Sequence, residues 1–169
     1  SDLTFRSIGS IQKKNGINAA RRYIISFTQS AQDVENVYKL ARLAFANEED
    51  VPVLDVIPLF EQIEDLENAV ATLDQVIQLP EVQARLAQTD RKLEVMLGYS
   101  DSSKDEGPTT ATLVLHKTQA ALAEWAEKNS IDLILMHGRG GAVGRGGGPA
   151  NRAVLSQPKG SVNGRFKLT

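Results

Sequence analysis

The stretch Ile131–Pro149 reads IDLILMHGRGGAVGRGGGP: an apolar run, a glycine-rich loop and a proline. The run IDLILM (131–136) has the make-up of a buried strand. The loop after it holds seven of the chain's thirteen glycines. Pro149 closes the loop, and proline is a favoured first residue of a helix. Strand, glycine turn and helix start together describe one β–α unit with an anion cradle between its halves. Glycine lets the backbone adopt φ > 0 and approach a ligand closely, and successive N–H groups there form an anion-binding concavity. Arg139 and Arg145 add forked, permanently charged donors that match phosphate or carboxylate.

Similar runs recur along the chain every thirty to forty residues or so: YIISF (23–27), VPVLDVI (51–57), LEVMLGY (93–99) and NGRFKLT (163–169). Helical spacing fills the intervals. Ser30 caps a predicted helix carrying Val34, Val37, Tyr38, Ala41, Ala44 and Phe45 on one side. A second runs from Ile63 to Ile77, a short third begins near Pro80, and a fourth lies between Thr109 and Asn129. Alternating strands and helices at this period predict right-handed β–α–β units and a parallel sheet.

The polar residues narrow the architecture. Glu61 follows the second run, Asp101 and Lys104 the third, and His137 and Arg139 the fourth. Parallel α/β proteins place their sites at the carboxyl ends of strands. Three successive strands supplying one rim favour a barrel. A complete (β/α)8 barrel takes ~250 residues, so residues 1–169 are expected to form a single α/β domain, about five strands of an incomplete TIM-type barrel.

Composition bounds the function. Hydrophobic content of 41%, charged content of 24% and a net charge of −2 describe a soluble globular chain with no electrostatic case for nucleic acid or a membrane surface. The absence of cysteine excludes disulfides, thiolate metal sites and a cysteine nucleophile. No apolar run approaches the ~20 residues of a membrane span, and Ser1–Phe5 carries no signal-peptide pattern. A start at Ser1-Asp2 without methionine suggests an excised or processed piece.

Each constellation has a plainer reading beside the chemical one. The glycine loop fits neither a dinucleotide fingerprint nor a Walker loop, since Val143 and Pro149 stand where a third glycine belongs and no Gly-Lys-Ser/Thr occurs. As an RGG-type RNA tract it is too short and too tightly wedged between ordered elements. In GYSDSSKDEG (98–107), Asp101 and Lys104 serve either a divalent metal and its anion, or a solvated turn whose ion pair contributes ~0–1 kcal/mol. Glu61 alone takes the rim position. Glu64, Asp65 and Glu67 read as a solvated helix face near a helix N-terminus. Glu61 with Asp101 makes a hard-oxygen pair suited to Mg²⁺ or Mn²⁺. His116 reads as a partly exposed helix residue. His137 serves proton chemistry, substrate orientation or support of the loop, and spacing does not choose among them.

Taken together, RRYIISFTQSAQDV (21–34), LDVIPLFEQIEDLENA (54–69), EVMLGYSDSSKDEG (94–107) and MHGRGGAVGRGGGPANRAVLSQPKGSVNGRFKLT (136–169) resemble the C-terminal catalytic part of the phosphoenolpyruvate carboxylase family. That resemblance implies a (β/α)8 barrel and a lyase that carboxylates phosphoenolpyruvate with bicarbonate, releasing phosphate and oxaloacetate. It implies Glu61 and Asp101 as Mg²⁺ or Mn²⁺ ligands and Lys104 as the lysine beside metal and substrate. Arg139 would clamp the phosphoryl group, with Gly140 and Gly141 lining the substrate, and Arg145 would sit on the mobile part of the loop. His137 matches the family's loop histidine. A cytoplasmic, allosteric homo-tetramer feeding the tricarboxylic acid cycle is also implied.

The departures matter too. Family members are several times longer, and their threonine-histidine-proline motif is missing from these residues. Glu106 stands where a small residue is usual. The chain alone is therefore expected to be inactive. The rival reading is a non-catalytic partial barrel that binds anionic metabolites or a complementing protein.

Overall fold

The computed structural model of the chain describes residues 2–98, 107–138 and 165–166. The elements follow in the order α1 (Asp2–Asn15), β1 (Arg22–Ile25), α2 (Ala31–Leu43), β2 (Asp55–Phe60), α3 (Ile63–Glu67), α4 (Ala69–Val76), α5 (Pro80–Gln88), β3 (Lys92–Leu97), α6 (Gly107–Lys128), β4 (Asp132–His137) and β5 (Arg165–Phe166). The first four strands form a parallel sheet in chain order, extended past β4 by the two described residues of β5.

When each strand pairs in parallel with the next in sequence, every crossover must return on the same side of the sheet. The two buried clusters record this. Phe60, Val95, Leu97, Leu133 and Leu135 pack with Val34 of α2, Leu73 of α4, Leu86 of α5 and Leu122 of α6. The alternate residues Ile57, Leu59, Met96, Ile134 and Met136 form a separate buried cluster on the opposite face. Both faces are buried, which is why the strands read as continuous apolar runs and not as alternation. This single winding is compatible with part of a barrel and differs from the two-sided winding of an open nucleotide-binding sheet.

Local signals explain most boundaries. The Asp33 carboxylate accepts the N–H groups of Ser30 (3.1 Å) and Gln29 (2.9 Å) at the start of α2. Pro80 opens α5. Residues with positive φ follow both α5 (Asp90 and Arg91) and α6 (Ser130), with bonds from Arg91 N to Leu86 O and from Ile131 N to Ala126 O closing the turns.

The elements differ from the sequence reading in three places. The second strand was expected over 51–57 but runs Asp55–Phe60. The helix expected from Ile63 to Ile77 breaks at Asn68 into α3 and α4. α1 was not anticipated at all; its Phe5 is buried and stacks on Tyr23 of β1 with ring centroids 5.5 Å apart. The helix start at Pro149 lies outside the described residues.

Candidate functional site at the carboxyl rim

The register aligns three strand ends. Phe60 pairs with Leu97 and Leu97 with His137, so Glu61, Gly98 and Gly138 each stand one residue past the ladder. Gly98 N donates to Phe60 O (3.0 Å) and Gly138 N to Leu97 O (2.9 Å). A Cβ at Gly98 would lie 2.8 Å from the Gly138 carbonyl, so only glycine lets the ends of β3 and β4 come this close. From these two glycines the chain departs toward Asp101 and Lys104, and toward Arg139, Gly140, Gly141 and Arg145. Those six residues lie outside the described part.

Glu61 is buried, at 7% exposure. Its Oε2 accepts the Phe27 N–H at 3.3 Å. Burial, and secondarily the charge of Asp65, push its pKa above the ordinary carboxylate value. Among the described residues no cationic side chain pairs with it. A buried carboxylate held by one amide, with no protein cation, has the chemistry of a hard-cation ligand. The described residues contain no group of three metal-ligating side chains, so Glu61 by itself fits a divalent ion only as one of a set.

His137 takes a different environment. It is 2% exposed and shares the parity of Leu133 and Leu135, whose side chains meet the helices. Its Nε2 lies 3.0 Å from the Gln119 carboxamide nitrogen of α6. Gln119 is fully buried, and both its Oε1 and His137 Nδ1 lack hydrogen-bond partners among the described residues. Burial, with a smaller push from His116, lowers the imidazole pKa to about 4. At neutral pH the ring is uncharged. His116 itself is exposed on α6, as expected.

Asp65 overturns one expectation. Glu64 and Glu67 are exposed, but Asp65 is buried, with Oδ2 unpartnered among the described residues. Burial first, then Glu64 and Asp33, raise its pKa. The short α3 packs into the fold, the Thr118 hydroxyl of α6 donating to Leu66 O at 3.0 Å, and Asp65 loses the solvent that the sequence pattern assumed.

The opposite end of the sheet carries the strong ion pairs. Asp55 accepts from Arg21 (2.7 Å) and Arg85 (2.6 and 3.0 Å), and Glu94 accepts a forked pair from Arg22 (2.8 to 3.1 Å). A cleft of about 550 Å³ opens there between α5 and the strand starts, lined by Tyr38, Arg21, Arg85 and Lys92. It faces away from Glu61. In parallel sheets this end serves stability, and chemistry belongs to the carboxyl end.

Comparison with known proteins points to one family. The family model described as "Phosphoenolpyruvate carboxylase" matches residues 3–169. A protein of that name from Ralstonia nicotianae is 45% identical across 98% of this chain and 18% of its own length. Another from Stutzerimonas stutzeri is 46% identical across 87% of this chain and 16% of its own. One from Trichormus variabilis is 40% identical across 98% and 19% respectively. The chain thus spans less than a fifth of the curated relatives it matches.

Proposed function

The chain belongs to the phosphoenolpyruvate carboxylase family, and we propose that it contributes one wall of a site that carboxylates phosphoenolpyruvate with bicarbonate to oxaloacetate and phosphate. The observation that carries this reading is Glu61: a buried carboxylate without a described cation, at the strand end beside those leading to Asp101 and Arg139. The singly wound parallel sheet supports placing that wall in a (β/α)8 barrel.

In this reading Glu61 and Asp101 would hold Mg²⁺ or Mn²⁺, which would supply Lewis acidity to the substrate's oxygens. Arg139 binds the phosphoryl oxygens through its fork, and Lys104 places a point charge beside them. Gly140 and Gly141 would line the same anion, and Arg145 would add a second forked charge to it. His137, neutral and packed on Gln119, acts as a support for the chain where it leaves β4.

Electrostatic donors of the Arg139 kind are worth about 3–4 kcal/mol each in comparable sites. Arg139→Ala in the full-length protein should therefore abolish oxaloacetate formation, followed by coupling to malate dehydrogenase, while Mn²⁺ binding survives. Wild-type turnover in that variant would refute the assignment. The 169-residue chain by itself should form no oxaloacetate in the same assay.

A further inference from the structure

Phe27 follows β1 with φ at 53°, in the left-handed region, and the residue is 57% exposed. A non-glycine residue there costs about 1–2 kcal/mol, and a mostly exposed one offsets little of that. Something nearby must enforce the conformation. That something is Thr28, which is fully buried.

The β1–β2 ladder ends at Ile25 opposite Pro58. Asp55 N donates to Arg21 O, so alternate β2 residues face β1 and the next N–H due across is that of Leu59. Thr28 takes over beyond that point. Its hydroxyl donates to Ile25 O (3.0 Å) and accepts the Leu59 N–H (3.2 Å), and its own N–H donates to Leu59 O (3.1 Å). One side chain thereby replaces a missing rung and folds the backbone back on itself. The turn so formed aims the Phe27 N–H at Glu61 Oε2, 3.3 Å away. No described residue donates to Oε1.

We propose that the Phe27–Thr28 turn is a positioning device for Glu61: it anchors Oε2 through a fixed backbone N–H and so presents Oε1 to a divalent cation. The assignment rests on Glu61 as a metal ligand. Neither residue touches the reacting atoms. The effect passes through the carboxylate alone.

Two readouts test it: Mn²⁺ affinity by electron paramagnetic resonance, and deuterium exchange of the Phe27 amide without metal. Thr28→Val should weaken Mn²⁺ about tenfold and speed amide exchange at least tenfold, whereas Thr28→Ser stays within twofold of wild type on both. A Thr28→Val protein that matches wild type on both, or a Thr28→Ser protein as impaired as Thr28→Val, overturns the proposal. Should Thr28→Val fail to fold, replacing Phe27 with phenyllactate removes only the N–H and should weaken Mn²⁺ at least fivefold; unchanged affinity overturns the proposal. If Glu61→Gln leaves Mn²⁺ affinity unaltered, the ligand role of Glu61 fails. The amide exchange then decides the anchor by itself, faster in Thr28→Val but not Thr28→Ser supporting it and equal rates rejecting it.

Discussion

Glu61 is expensive to keep charged. Its carboxyl is buried and faces the like charge of Asp65, and these raise its pKa against the lowering effect of one amide hydrogen bond. A group whose folded pKa exceeds its unfolded value contributes stability only below the unfolded pKa and loses it as pH rises through the folded one. At neutral pH, metal-free Glu61 therefore opposes folding. Glu61→Gln removes the charge while keeping the shape, and should raise the melting temperature of the metal-free protein by a few degrees, read by calorimetry or circular dichroism. An unchanged or lower value would contradict this account of its burial.

His137 works in the other direction. Its folded pKa is pushed down to about 4 against an unfolded value of about 6.5. Between those values the unfolded chain binds the extra proton, so stability falls as pH is lowered from about 6.5 toward 4, by up to roughly 3 kcal/mol. Chemical denaturation across that window should show the loss in wild type and a shallower slope in His137→Gln. At this scale the sequence showed which residue types stand at the strand ends. It did not show that Asp65 is buried or that His137 meets Gln119, because both depend on how segments distant in the chain pack together.

At the scale of elements, β3 and β4 approach closely at Gly98. Gly98→Ala would put a methyl 2.8 Å from the Gly138 carbonyl, backbone against side chain with no flexible group to yield. We expect it to lower stability by about 1–3 kcal/mol, measured by urea unfolding, and to disturb the departure of the chain toward Arg139. A neutral result would mean that the two strand ends separate freely. The strands were legible because burial on both faces leaves uninterrupted apolar runs. The start of β2 was misplaced for the same reason: VPVL (51–54) is as apolar as the strand, and only pairing with β1 selects Asp55 as the first rung. α3 and α4 share one helical spacing in sequence, and a break at Asn68 leaves that spacing intact. α1, with Leu3 and Ile11 exposed, offers too weak a stripe to announce itself.

At the level of the whole molecule, ligand linkage offers a direct check. A cation that binds the folded chain and not the unfolded one stabilises it by about 2.7 kcal/mol when present at a hundredfold excess over Kd. Mn²⁺ titration should raise the melting temperature of the wild-type protein and leave that of Glu61→Gln nearly unmoved. Equal shifts in both would place the bound ion elsewhere.

By themselves, the residues determined the alternation of strand and helix, the parallel sheet and the rim on which Glu61 stands, because backbone periodicity and strand-end chemistry are local properties. Only the tertiary structure decided that the crossovers between β1 and β4 return to one side and that strand ends align at Gly98 and Gly138. It also decided that Thr28 holds Phe27 against Glu61. Those outcomes depend on hydrogen bonds and burial between segments more than thirty residues apart in the chain, and no local pattern encodes which distant surface will exclude water from a given side chain.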